Sequence, residues 1–104
     1  MNIIINGRSI ELRYSFRALM IYEKITEESF NPKGITEIMV FFYSVILASD
    51  RDITLSFDDF INFLDSEPTL LNDFSIWLTK TLTKNNTFSD KNENSEEVTE
   101  LKKN

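Results

Sequence analysis

Residues 3–12 read IIINGRSIEL, two apolar, β-favouring runs on either side of an Asn6-Gly7 pair. Asn-Gly is the strongest short-range signal for a two-residue hairpin loop, because a type I′ turn needs positive φ at both central residues. In that register the residues sharing one face are Met1, Ile3, Ile5, Ile10 and Leu12, and Ile4 falls on the other face. A two-stranded hairpin is marginal alone in water, so we expect its apolar face to pack on helices.

Four helical patterns follow the hairpin. Ser15 is a good N-cap for the first, and the second runs over about 36–49. Ser56 caps a short third helix, with acidic residues just after it. A fourth helix starts near Pro68, which suits a first helical turn because its missing N–H loses no hydrogen bond there. This helix should end near residue 84.

The side chains that these patterns place on the protein core are mostly aromatic or branched. In the first helix, Phe16, Leu19 and Met20 keep the i, i+3, i+4 spacing of an apolar stripe, and this stripe is widened by Ala18, Ile21, Tyr22 and Ile25. We expect the hairpin to pack on the stripes of the first and fourth helices. After residue 84 large apolar side chains become scarce, which is typical of a disordered segment.

The predicted fold class is therefore α+β and mostly helical. An N-terminal β-hairpin packs on a bundle of about four helices, and a disordered C-terminal tail follows. A chain of 104 residues has room for one domain. We place the single folded domain, hairpin plus helices, at 1–84 and the disordered polar tail at 85–104.

The composition offers little for catalysis. The sequence contains no Cys and no His, which removes thiolate nucleophiles, the usual zinc ligands and the commonest general base. Asp58 and Asp59 are adjacent carboxylates, but their place at the start of the third helix already explains them. Only two glycines are present, too few for a phosphate-cradling loop. We expect no enzyme activity, no catalytic residues, no metal site and no cofactor.

Helix two holds most of the candidate binding residues, because it is apolar nearly all round. Such a helix is either central in the fold or exposes a surface for a partner. Phe41, Tyr43 and Leu47 lie outside its main stripe, and they are either core residues or a self-association or partner surface. Trp77 is expected in the core, but the outer face of helix four is a further candidate, so it completes the tentative partner-binding set.

The net charge of −6 argues against nucleic-acid binding, which needs a basic patch. An acidic surface instead aids solubility or favours a basic partner. No apolar run approaches the roughly 18 residues of a membrane span. Met1 is followed directly by the hairpin, without the features of a signal peptide, so we expect a cytoplasmic protein that does not bind membranes.

The order of elements resembles a known family. The run I-x-I-N-G-R-x-I-x-L-R-Y-S-F-R-A-L over 3–19, then Tyr22-Glu23 and Ser29-Phe30, is similar to the tail assembly chaperones of long-tailed bacteriophages. The stretch over 53–60, I-T-L-S-F-D-D-F, followed by Leu64-Asp65, is similar to that family's S-F-D-E-F-x-x-x-L-D segment. The resemblance covers about 3–82.

This resemblance implies a non-enzymatic role. Family members bind the tape measure protein, keep that long apolar helical rod soluble, recruit tail tube subunits in the host cytoplasm and are absent from the finished virion. Many are also made in a longer form by ribosomal frameshifting. Lys102-Lys103-Asn104 is a place where a slippery A-rich codon run would fit, and a Lys/Asn-rich tail in an AT-rich genome is the alternative. The gene sequence distinguishes the two.

Two other functions remain open. The chain is alternatively a small acidic phage adaptor or inhibitor, such as a DNA mimic or host-defence antagonist that acts by protein binding. A DNA mimic needs regularly spaced surface carboxylates, whereas the sequence shows mixed charge. The remaining alternative is a regulatory domain that forms a homo-oligomer through helix two. Gene neighbourhood, with a tail tube gene and a very long tape measure gene, discriminates the first function from these two.

Overall fold

The computed structural model describes residues 1–31 and 33–89, with side chains described up to residue 84. It confirms the α+β, mostly helical class, with a two-stranded antiparallel hairpin followed by four helices. In chain order the elements are β1 (Asn2–Ile5), β2 (Arg8–Glu11), α1 (Phe16–Thr26), α2 (Ile35–Ser49), α3 (Phe57–Ser66) and α4 (Leu70–Ser89).

The hairpin has the predicted turn and register. Asn6 and Gly7 have φ values of 54° and 75°, as a type I′ turn requires. Ile3 pairs with Ile10 and Ile5 with Arg8, and the Leu12 N–H donates to the Met1 carbonyl at 2.9 Å. The predicted face is buried at four positions, Ile3, Ile5, Ile10 and Leu12, and Met1 is half-buried. On the opposite face Ile4 is 71% exposed.

The hairpin packs most closely on α2, through β2, whereas the prediction named the stripes of the first and fourth helices. Two polar contacts fix this arrangement at the end of α2. The Arg13 N–H donates to the Ser49 hydroxyl at 2.9 Å. The Arg8 guanidinium donates through Nε to Asp50 Oδ2 at 2.7 Å. The physical reason is that α2 carries the widest apolar surface in the chain, so it can cover the hairpin and two helices at once.

The helix starts follow local sequence signals closely. The Ser15 hydroxyl accepts the Ala18 N–H at 3.1 Å, and the Ser56 hydroxyl accepts the Asp59 N–H at 3.1 Å. Both serines are therefore N-caps, as predicted. Pro68 differs from its prediction, because it lies in the turn between α3 and α4 and not inside the first turn of α4. At the start of α4 the Asp73 N–H donates a hydrogen bond to the Thr69 carbonyl.

The end of α4 lies beyond the predicted boundary. The helix continues to Ser89, so 85–89 belong to it and not to a separate tail. Neither Pro nor Gly occurs in that stretch to stop a helix, although its Asn and Thr residues are poor helix formers. The rest of the predicted tail, 90–104, lies outside the described residues.

Aromatic rings hold the helices together around α2. The Phe41 ring stacks on Phe30 with centroids 4.0 Å apart, and the Phe42 ring stacks on Phe74 at 4.2 Å. Phe42 also meets Phe60 of α3 edge to face at 5.3 Å. Such ring pairs add about 0.5–1.5 kcal/mol each beyond the area they bury. The core is therefore a continuous aromatic cluster that links α2 to α3, α4 and the loop after α1.

The first helix buries only part of the apolar stripe that its sequence pattern indicates. Ala18 and Tyr22 are buried, and α1 packs extensively on α2. Phe16 and Met20, predicted in the buried stripe, are 88% and 53% exposed. The widened stripe covers more than one side of the helix, so the pattern alone does not say which part of it a neighbour will cover.

Candidate functional site

Phe41 belongs to the core. It is 0% exposed, and besides Phe30 its ring lies 6.0 Å from those of Tyr14 and Tyr22. A side chain with no accessible surface offers nothing to a partner. This finding corrects the surface alternative for Phe41 and leaves the core alternative. The reason is that the loop after α1 folds Phe30 over the side of α2 that the sequence pattern left uncovered.

Tyr43 is half-buried and has an intramolecular role. Its hydroxyl donates to the Leu55 carbonyl at 2.6 Å, and its ring lies 5.3 Å from Phe57 and 5.4 Å from Phe60. Burial raises the pKa of the Tyr43 phenol above its ordinary value. Tyr43 thus holds the segment between α2 and α3 against α2. Any contact with a partner would use only the remaining exposed part of its ring.

Leu47 and Trp77 are also half-buried. The Trp77 indole packs on Phe74 with centroids 5.5 Å apart, at the edge of the aromatic cluster. Because Phe41 is enclosed, the four candidate residues do not form one exposed surface. A partner role for Tyr43, Leu47 and Trp77 stays a prediction.

A better candidate lies between the start of α2 and the α3–α4 corner. Two adjoining concave regions, of about 430 Å³ and 320 Å³, share Ile35, Pro68 and Leu71. We call their combined surface the α2–α4 groove. Its apolar lining comprises Ile35, Ile38, Met39, Ile61, Leu64, Pro68 and Leu71. Ligand-binding pockets begin at about 300 Å³, so each region can hold a large side chain.

The groove follows from local sequence at two points. Ile35 is the first residue of α2 and shares a face with Ile38 and Met39, three and four positions later. Phe42 continues this face one turn later, where it enters the core, whereas Phe41 lies on another side of α2. Ile35 stays 66% exposed, because nothing in the described chain covers the start of α2. The Ile35, Ile38, Met39 spacing was readable from the sequence, but the start predicted at residue 36 left Ile35 outside the helix.

Each of the two concave regions of the groove has one charged lining residue. Lys33 lines the larger region, together with Gly34 and Asn72. Asp65 lines the smaller region, on the side of α3. The middle of the groove is apolar. An occupant with an apolar side would therefore match the middle of this surface.

The groups with clearly shifted pKa values lie outside the groove. Burial raises the pKa of the Tyr22 phenol, and the nearby carboxylates of Glu37 and Glu28 raise it further. The hydrogen bond from Arg8 lowers the pKa of Asp50. Among residues 1–31 and 33–89, no cluster of three or more potential metal ligands is present. The lining of the groove itself is mainly apolar.

A second exposed apolar surface lies on α1. Phe16 and Met20 stand one turn apart on the side of this helix that faces away from Ala18 and Tyr22. Among the described residues, Phe16 is the most exposed large apolar side chain, at 88%. The spacing of Phe16 and Met20 was visible in the sequence, but it was interpreted as part of the buried stripe.

In the described part of the chain, no helix is both long enough and apolar enough to cross a membrane. Comparisons of this chain with protein-family models, curated proteins and solved structures find no match.

Proposed function

We propose that this chain is a non-enzymatic tail assembly chaperone that binds an apolar helical segment of a phage tape measure protein. The α2–α4 groove is the observation that carries this proposal. It is an open and mainly apolar surface on the described part of the chain. The family resemblance over 3–82 supplies the identity of the partner.

The binding mode follows from the shape of the groove. An amphipathic helix docks by placing side chains at i, i+3 or i+4 and i+7 into an apolar groove. Ile35 and Leu71 stand on opposite sides of the groove, one on α2 and one on α4. Covering the exposed part of Ile35 alone contributes about 1–2 kcal/mol. A few such anchors suffice for a reversible complex, as a chaperone requires.

The charge of the chain suits the same task. A net charge of −6 keeps the chaperone and its complex soluble while an apolar rod is held. In this proposal the chain works in the host cytoplasm, where the tape measure protein is made. It then recruits tail tube subunits through a surface other than the occupied groove, and the half-buried residues Tyr43, Leu47 and Trp77 are candidates for that contact.

The test is co-expression with a tape measure protein encoded next to this chain. We expect the tape measure protein to be soluble with the natural chain and to precipitate without it. Ile35→Glu should lose most of this effect, because a carboxylate replaces an apolar anchor at the rim of the groove and weakens binding about tenfold or more. Ile4→Glu is the matched control, since Ile4 is equally exposed but lies outside the groove.

Equal solubility with Ile35→Glu and the natural chain would refute the groove as the binding site. No gain in solubility with the natural chain would refute the chaperone function itself. A pull-down of the tail tube subunit, with and without the tape measure protein, then tests recruitment separately.

A further inference from the structure

The outer edge of β1 carries backbone groups that have no partner in the described chain. The Leu12 N–H donates to the Met1 carbonyl. Antiparallel strands alternate between bonded and non-bonded pairs, so the odd-numbered residues of β1 direct their N–H and C=O groups toward β2. Those of Asn2 and Ile4 point away from β2, and within 1–31 and 33–89 they bond to no other element. Both side chains are exposed, so this edge is open to another strand.

The outer edge of β2 is protected by comparison. Arg8 and Glu11 place charged side chains at the two ends of this strand, and Arg8 is held by Asp50 after α2. Charged side chains on an edge hinder the addition of a further strand. β1 lacks this protection, because Asn2–Ile5 carry no charged side chain. Each of the other five elements in the described chain has at least one.

Charge and symmetry both favour a second copy of this chain at the β1 edge. With a net charge of −6, two copies repel each other over most of their surface, but β1 brings no like side-chain charges together. The edge is also its own complement. A two-fold axis through Ile3 sets Asn2 of each copy opposite Ile4 of the other, so all the outward groups of both residues are paired. An axis through Ile4 would instead set Asn2 opposite Asn6, which lies in the turn.

We propose that the β1 strands of two copies pair antiparallel about Ile3, so that two hairpins form one four-stranded sheet. Asn2 of each copy exchanges both backbone hydrogen bonds with Ile4 of the other. The interface is isologous and occupies the β1 edge of both copies, so association stops at a dimer. A short strand buries less area than a stable dimer needs, so the dimer is weak and depends on concentration. This inference does not rest on the proposed function.

Sedimentation velocity of the full chain measures this association. From about 10 µM to about 1 mM, a range that detects weak complexes, we expect the average mass to rise toward that of a dimer and not beyond it. Ile4→Pro removes the Ile4 N–H and with it half of the hydrogen bonds between the copies, so association should weaken about tenfold or more. Ile4→Thr keeps this N–H and a β-branched side chain, and should associate within about threefold of the natural chain.

Ser9→Pro is the matched control. Ser9 lies opposite Ile4 in the hairpin, and its N–H points to the outer edge of β2. Proline is tolerated where a strand N–H faces outward, so both proline variants should keep the circular dichroism of the natural chain. Ser9→Pro should also dimerise like the natural chain. Equal weakening by the two proline variants, or a natural chain that is monomeric throughout, would overturn the inference.

Disulfide cross-linking tests the register without a proline. The chain has no cysteine, so Asn2→Cys and Ile4→Cys each introduce a single thiol. Opposite residues of a bonded pair have Cα atoms about 5.5 Å apart, within disulfide reach, whereas diagonal neighbours lie about 7–8 Å apart. Oxidation of an equimolar mixture should therefore join the two variants to each other faster than it joins either to itself. Ile4→Cys that cross-links to itself as fast, or a mixture without cross-links, would overturn the pairing. A monomeric natural chain that still solubilises the tape measure protein would leave the proposed function standing.

Discussion

Phe41 and Phe16 are the same residue type on two helices that pack against each other, yet they stand at opposite extremes of exposure. Phe41 is 0% exposed among four other rings, while Phe16 is 88% exposed at the start of α1. One stabilises the fold and the other is available to a second molecule. The comparison teaches that apolar spacing marks a face of a helix, and that only the packing of neighbouring elements decides whether this face becomes core or contact surface.

Replacing each Phe by Ala gives the largest test of this comparison. Phe41→Ala should lower the free energy of unfolding by about 3–5 kcal/mol, because it removes a stacked ring and leaves a cavity. Phe16→Ala should change it by no more than about 0.5 kcal/mol. Urea denaturation followed by Trp77 fluorescence measures both. Similar losses for the two variants would mean that α1 buries the side that carries Phe16.

Tyr43→Phe tests a half-buried residue, whose exposure lies between those of Phe41 and Phe16. It leaves the Leu55 carbonyl without its donor, so we expect a loss of about 1–2 kcal/mol. The pKa of Tyr43 is raised in the folded state, so its contribution is fully present below 10.0 and is lost as pH rises above that value. The variant should therefore lose less stability in alkali than the natural chain. The folding stability that the variant still loses at high pH is expected to come from Tyr22, whose pKa is also raised.

The smallest effect is expected at the surface ion pair between Arg8 and Asp50, which meet at 2.6 Å. The hydrogen bond from Arg8 lowers the pKa of Asp50 in the folded state, so the stabilising contribution is present above 3.8 and is lost as pH falls below it. Arg8→Gln should slightly reduce the loss of folding stability in acid. It should also make that loss less sensitive to salt. Acid titrations of the two proteins at low and high salt measure it, and identical curves would show that the pair contributes nothing.

Local features of the fold were predictable from the sequence. Asn6-Gly7 specifies the turn through its need for positive φ, and the turn then fixes the register of both strands. Ser15 and Ser56 cap their helices because a short hydroxyl side chain can accept an N–H three residues later. These signals act over a few residues and do not depend on the rest of the chain.

Features that depend on packing between distant elements were not predictable. The sequence placed Phe16 and Met20 in a buried stripe, and it left Phe41 open as a surface candidate. The burial of Phe41 depends on where Phe30 lies once the loop after α1 has folded back over α2, and the exposure of Phe16 and Met20 depends on which side of α1 faces α2. The candidate groove was missed for the same reason, since Ile35 and Leu71 are brought together only by the corner between α3 and α4.

The ring contacts of α2 also determine how this domain unfolds. Phe41, Phe42 and Tyr43 are consecutive, so they point about 100° apart and reach Phe30, Phe74 and Phe57 in three directions. When any one of these neighbouring elements opens, the same short segment of α2 loses ring contacts. Local opening of a single helix is then nearly as costly as loss of the whole core. The backbone amides of α2 should therefore exchange their hydrogens only through global unfolding, and the domain should behave as one cooperative unit.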